Sequence, residues 1–182
     1  DIGIYDAMNQ GFCQANGELL MFLNAGDKLV SKDTLYEIET AFNNAPLSKT
    51  CLVGYTLQVD KNNPHNDSLL GYGLPYKFFP YIQFPHPSFI IKTSIAMRIK
   101  PLFDPKLKIA SDYKQQLILR KLNLFNPIYF DSIITIMPLG GASTSGLLSY
   151  WKGYLEVFKF SFKQFFLISP YILLLKIYMH LH

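Results

Sequence analysis

Leu19-Leu20-Met21-Phe22-Leu23-Asn24-Ala25-Gly26-Asp27 decides how the chain folds. Five consecutive apolar residues have strand length and no alternation, the pattern of a strand covered on both faces in a mainly parallel sheet. The run stops abruptly at a polar turn holding a glycine and an acid. In open α/β sheets ligands bind beyond the carboxyl ends of the strands, so this turn is where a site is expected.

The flanking sequence supports an α/β frame. Residues 6 to 16 predict a short helix, with Asp6 as N-cap, Gly17 as terminator and Met8, Phe12 and Ala15 as its apolar positions. After the turn, Ser31 or Asp33 caps a helix whose apolar face carries Leu35, Ile38, Ala41 and Phe42, and Asn43-Asn44-Ala45-Pro46 ends it. A strand follows from Cys51 to about Val59. Residues 60 to 67 read as a surface loop, and 71 to 87, crowded with Tyr, Phe and Pro, as the wall of a cleft or an acceptor loop. Ser88 to Ile91 is a short strand. Ser111 caps a helix to about Leu122 with Tyr113, Leu117 and Ile118 inward, and Tyr129 to Ile136 is the last strand. Gly140-Gly141 opens a flexible turn.

Bulk properties bound the answer. The 182 residues are 49% apolar, 15% aromatic and only 16% charged, which excludes a disordered tail and suits one unusually greasy domain. The net charge of +4 is spread along the chain rather than packed into a basic run, so no nucleic-acid partner is expected. A mildly positive face suits anionic substrates and anionic lipid surfaces alike. Cys13 and Cys51 stand far apart and the histidines lack ligand spacing, so neither a disulfide framework nor a histidine-built metal site is expected.

Three stretches carry a family resemblance. Asp1-x-Gly3-Ile4-Tyr5-Asp6-Ala7-Met8-Asn9-x-Gly11, then Ala15-x-Gly17-Glu18, then Phe22-Leu23-Asn24-Ala25-Gly26-Asp27 resemble, in order and spacing, the first conserved half of family 2 glycosyltransferases. The wording is similar to the subgroup of bacterial capsule, colanic acid and O-antigen synthesis. Pro85-His86-Pro87-Ser88-Phe89 resembles that subgroup's "PHQ" segment, Ala110-Ser111-Asp112-Tyr113 its "(A/S)DY" helix start, and Gly140-Gly141-Ala142-Ser143 its "GG(V/I)S" turn. The resemblance covers residues 1 to about 145. It implies a GT-A-like mixed, mainly parallel sheet flanked by helices. It also implies that a strand and loop clasping the nucleotide base precede such a stretch, so an amino-terminally truncated domain is expected over residues 1–146.

The chemistry gives these residues work. A diphosphate leaving group needs its charge neutralised, and hard Mg²⁺ or Mn²⁺ tolerates a site of one or two carboxylates completed by substrate phosphates. The resemblance aligns Asp27 with the family's acidic metal-binding element. Asn24 and Gly26 stand where many relatives carry Asp, which leaves Asn24 a substrate hydrogen-bonder, whereas the bare residues also suit an ordinary tight turn. An acceptor hydroxyl must lose its proton as it attacks the anomeric carbon, and a positioned carboxylate can take it. The resemblance implies an inverting reaction with Asp112 as that base; read alone, Asp112 is also a helix-start acid favoured by the macrodipole. His86 is expected to line the cleft, with Gly140 and Gly141 as further substrate contacts. Asp1, Asp6 and Asn9 lie on the nucleotide side, or Asp6 caps its helix and Asn9 is a packing hydrogen-bonder.

Residues 147–182 form a separate amphipathic tail. Lys152, Glu156, Lys159 and Lys163 share one helical face, and Leu155, Phe158, Phe162 and Phe165 or Phe166 the other. The longest uncharged stretch of the tail, Gln164 to Leu175, contains Pro170 and is too short to span a bilayer. Two readings follow: a helix lying in the membrane interface, or one packed on the catalytic core. The expectation is a bacterial enzyme, cytoplasmic and peripheral on the inner face of the plasma membrane, moving a sugar from a nucleotide-diphosphate donor to a saccharide or lipid-linked saccharide. The alternative is an inactive remnant serving as a membrane-associated interaction module.

Overall fold

The computed structural model describes residues 3–60, 62–71, 81–139, 147–164 and 169–181. Helix α1 spans Ile4–Gln14, strand β1 Leu19–Leu20, β2 Lys28–Leu29, helix α2 Thr34–Asn43, and β3 Cys51–Val59. Then come β4 (Ser68–Leu70), β5 (Phe89–Lys92), the short helix α3 (Thr93–Ala96), α4 (Ser111–Lys121), β6 (Pro127–Pro138), α5 (Leu147–Gln164) and α6 (Ser169–Leu181).

The expected mixed α/β sheet flanked by helices is borne out. Its order is β1-β5-β3-β6-β2, with β4 also on β3. Strand β3 organises it: one edge pairs in parallel with β6, and the other is shared, β5 taking Cys51 to Val53 and β4 taking Thr56 to Gln58. The parallel share is smaller than the apolar runs suggested. Among the described residues β3–β6 is the one parallel ladder, and β1 runs antiparallel to β5 and β2 to β6. An unbroken apolar run reports that both faces are covered, not which way the neighbours run.

Both faces are indeed covered. Side chains alternate along β3 and β5, so Cys51, Val53, Phe89 and Ile91 face a core shared with Tyr5 and Met8 of α1, while Leu52 and Ile90 face Ile38 of α2 and Ile134 of β6. Gly54 interrupts the ladder where β6 shifts register, and a Cβ there would collide with the side chain of Ile134 and come within 3.1 Å of the Ser132 carbonyl. Glycine is therefore what lets the β6 bulge close on β3.

Several expected boundaries move. Strand β1 keeps two of its five expected residues, because Phe22 leaves the ladder to pack against rings nearer the site. The cap of α1 is Gly3, not Asp6, which sits inside the first turn and accepts a hydrogen bond from Gln10 Nε2 at 3.0 Å. Leu35 is 59% exposed rather than facing inward, and Ile38 alone of that set is fully buried. In α4 the N-cap is Ala110; the Ser111 hydroxyl accepts instead from the backbone of Asp104 at 2.6 Å.

A third apolar cluster joins Tyr113 and Leu117 of α4 to Val157 and Phe160 of α5 and Ile172 of α6. Glu156 adds a polar clamp, its carboxylate accepting from the backbone N–H groups of Lys108, Ile109 and Ala110 at 2.8 to 3.0 Å. Helix α5 thus rests on α4 through Val157, Phe160 and Glu156. Leu155, Phe158 and Phe162 are 56%, 40% and 47% exposed, with Trp151 beside them at 65%. No helix among the described residues is long and apolar enough to cross a membrane.

Candidate active site

Asn24 to Asp27 is a closed turn. The Asp27 N–H donates to the Asn24 carbonyl at 3.0 Å, and the Asn24 N–H donates to Asp27 Oδ2, also at 3.0 Å. Gly26 adopts φ +96°, a conformation natural to glycine, and a Cβ there would press within 3.1 Å of Pro138. That backbone requirement explains glycine here better than any lost ligand. Partial burial raises the Asp27 carboxyl above its usual range, opposed by the Asn24 N–H and by His86.

His86 enters from the turn before β5. It is 8% exposed, its ring stacked on Phe22 at 5.6 Å and edge-on to Phe103 at 5.5 Å. Neither ring nitrogen has a hydrogen-bond partner among the described residues. Burial lowers its pKa, only partly offset by the carboxylates of Asp112 and Asp27, both near enough to act on it. The ring is neutral at pH 7, with one donor and one acceptor to offer.

Asp112 stands in the first turn of α4. The Tyr5 hydroxyl reaches both the Ile109 carbonyl at 2.6 Å and Asp112 Oδ1 at 3.2 Å, and Gln83 Nε2 donates to Asp112 Oδ2 at 3.0 Å. Burial, with the Asp112 charge beside it, pushes the Tyr5 phenol far above its ordinary value, so it stays a donor. The carboxylate is fixed in orientation while each oxygen keeps a further lone pair.

Two carboxamides hold these parts in place. Asn9 brackets the backbone of Phe103, Nδ2 donating to its carbonyl at 2.8 Å and Oδ1 accepting its N–H at 2.9 Å. Gln116 brackets Phe84 the same way, both bonds 2.9 Å. Asn9 is thereby committed to packing, the second of its two sequence readings, whereas Asp6 accepts from Gln10 within the first turns of α1 and does not cap it. Asn24 contributes its backbone to the turn. Asp1, Gly140 and Gly141 lie outside the described residues, as does most of the 71–87 loop.

The structure therefore brings Asp27, His86 and Asp112 around one region and adds Tyr5 and Gln83, which the sequence reading missed. Tyr5 sat inside the quoted amino-terminal stretch and was available to it. Gln83 had no local signal, since its role comes from the 81–85 backbone being laid along α4. Among the described residues no group of three His, Cys, Asp or Glu could hold a metal ion. A hard divalent cation fits only in the mode where Asp27 supplies one carboxylate and substrate phosphates complete the shell.

No family model matches the sequence, and no match is found among curated proteins. The fold does have solved counterparts. The chain is similar to TarS of S. aureus, residues 1–349, in complex with UDP, with a TM-score of 0.53 and 17% identity over 86% of this chain and 45% of that one. It is also similar to TarS 1–349 without that ligand, with a TM-score of 0.55 and 15% identity over 98% and 51%. The fold is shared with TarS. At these identities the likeness speaks for the fold alone, and the chain spans about half the length of the TarS structures.

Proposed function

We propose that the chain belongs to a glycosyltransferase that moves a sugar from a nucleotide-diphosphate donor to a saccharide or lipid-linked saccharide acceptor in cell-surface polysaccharide synthesis, with inversion. What carries the reading is the convergence of Asp27, His86 and Asp112 from three separate segments, on a fold shared with UDP-bound TarS.

In this reading the donor diphosphate lies at the Asn24–Asp27 turn, where Asp27 would hold Mg²⁺ or Mn²⁺. The ion supplies charge neutralisation at the leaving group. Asp112 accepts the proton of the acceptor hydroxyl as its oxygen bonds to the anomeric carbon and the bond to the diphosphate breaks. Tyr5 and Gln83 orient Asp112, since a small misplacement of the base costs rate steeply. His86, neutral and ringed by Phe22 and Phe103, excludes water and turns a nitrogen toward sugar or acceptor. Asp1, Gly140 and Gly141 join as substrate contacts.

The membrane belongs to the same proposal. The exposed Trp151, Leu155 and Phe158 of α5, with Lys152, Lys159 and Lys163 on the same helix, suit an anionic lipid surface where a lipid-linked acceptor would be met. In this reading the protein is cytoplasmic and peripheral on the inner face of the plasma membrane.

The test is transfer or hydrolysis of nucleotide sugars. Asp112→Asn should lower turnover by about 10²–10⁴-fold with donor affinity kept. Turnover unchanged in both Asp112→Asn and Asp27→Ala would refute the assignment.

A further inference from the structure

The backbone just ahead of α4 is gripped by a helix from outside the sheet. Glu156 of α5 accepts three consecutive N–H groups, that of Lys108 on Oε1 at 2.8 Å and those of Ile109 and Ala110 on Oε2 at 2.9 and 3.0 Å. Donors converging in this way demand a group that only accepts, and a carboxylate supplies two such oxygens. Gly153, one helical turn earlier, lets α5 come this close: a Cβ there would stand 3.3 Å from Ile109 Cγ2.

Tyr5 holds the same backbone from the opposite side. The Ala110 N–H and the Ile109 carbonyl belong to one planar, trans peptide unit, so they point in opposite directions. Glu156 takes that unit by its N–H, and the Tyr5 hydroxyl takes it by its carbonyl at 2.6 Å. The same hydroxyl lies 3.2 Å from Asp112 Oδ1, and it has a single hydrogen to divide between the two oxygens. The position of the Ile109 carbonyl therefore decides how much of that hydrogen Asp112 receives.

We propose that Glu156 is a positioning residue for Asp112, acting through the 109–110 peptide and the Tyr5 hydroxyl. Asp112 stands two residues beyond that peptide, in the first turn of α4. With the clamp in place the peptide cannot rotate, Tyr5 stays between the carbonyl and Asp112, and the free lone pairs of the carboxylate keep one direction. Without it the peptide turns, Tyr5 follows its shorter bond, and the carboxylate is released. A helix whose other contacts with α4 are the apolar ones of Val157 and Phe160 thus has a polar line into the site. That Asp112 is a base rests on the proposed glycosyl transfer; that Glu156 sets its geometry does not.

Two measurements on the full chain test this. In side-chain carbon NMR, which needs no turnover, the Tyr5 Cζ and Asp112 Cγ resonances should be displaced in Glu156→Gln, where one clamping oxygen becomes an amino group facing backbone N–H groups. Glu156→Asp, shorter but still able to accept, should displace them less. Val157→Ala loosens the same helix without touching the amides, so it should lower the urea midpoint and leave both resonances in place. In nucleotide-sugar turnover, Glu156→Gln should lower kcat roughly 10- to 100-fold at unchanged donor KM, while Val157→Ala stays within about twofold of the wild type. The Glu156→Gln loss should vanish in an Asp112→Asn background, where no base is left to misplace. Resonances of Tyr5 and Asp112 that stay put in a folded Glu156→Gln, or a rate loss of the same factor in both backgrounds, would overturn the proposal. Displaced resonances with turnover absent, or indifferent to Asp112→Asn, would uphold the clamp and instead count against Asp112 as the base of a glycosyl transfer.

Discussion

Ser88 and His86 occupy the same short turn before β5, and both are buried, yet their surroundings are opposite. The Ser88 hydroxyl closes a triangle with Thr56 and Thr135, at 2.7 Å to each and 2.9 Å between the two threonines, and donates to the Tyr55 carbonyl at 2.8 Å. His86 has aromatic neighbours and no partner for either nitrogen among the described residues. The first is a polar group that the fold has satisfied for its own stability. The second is one whose hydrogen bonds are held open, which a protein tolerates where a ligand completes them. The turn is thus anchored at Ser88, and the proposed function gives its unsatisfied end, His86, to the substrate.

The largest effect that would break this contrast is catalytic. Asp112→Asn, beside the open end, should cost about 3–5 kcal/mol of transition-state stabilisation, seen in kcat at saturating donor. Its urea midpoint should stay near that of the wild type.

At the anchored end the readout is stability. Ser88→Val removes the hydroxyl that bonds Thr56, Thr135 and the Tyr55 carbonyl, and should cost about 2–3 kcal/mol in urea unfolding. A cost near zero would mean the triangle is incidental.

His86→Phe should do the reverse, raising stability by about 1 kcal/mol by replacing an unpartnered ring with one that suits Phe22 and Phe103, while impairing substrate binding. The sign with pH follows from the lowered pKa. The unfolded chain takes up a proton near pH 6.5 before the folded one does, so the wild type loses stability as pH falls below about 6.5, and the variant does not share that loss. Thermal melts at pH 7.5 and 5.5 measure the gap, which should widen at the lower pH.

Asp27 behaves oppositely to a satisfied acid. Its carboxyl is raised by burial, so the ionised form opposes folding at neutral pH and that opposition vanishes below the unfolded value of 3.8. Asp27→Asn should melt slightly higher than the wild type at pH 7 and equally near pH 3. The smallest stability effect belongs to α5: Trp151→Gln with Leu155→Gln should stay within about 0.5 kcal/mol of the wild type. Those changes should nonetheless abolish flotation with anionic vesicles.

The sequence made some of this legible for physical reasons. Strand β3 was expected over Cys51 to Val59 and runs there, because its β-branched and apolar residues outweigh the single Gly54. The Asn24–Asp27 turn was legible because glycine and asparagine mark backbone that only a few residues adopt. What escaped depended on distant partners. The antiparallel placement of β1, the short β4 and the loss of Phe22 from its strand are set by what lies alongside. Gln83 and Gln116 look like ordinary polar residues until the 81–86 segment is laid on α4. On α5 the two-faced pattern was visible, but Glu156 turned out to clamp the 108–110 backbone, which no helical wheel shows.

The most direct test of the account is a calorimetric titration of the chain with UDP and Mn²⁺, beside Asp27→Ala. The account predicts metal-dependent binding to the wild type that the variant loses. Binding indifferent to both Mn²⁺ and Asp27, or no binding to a folded wild type, would contradict it and leave the fold without the proposed chemistry.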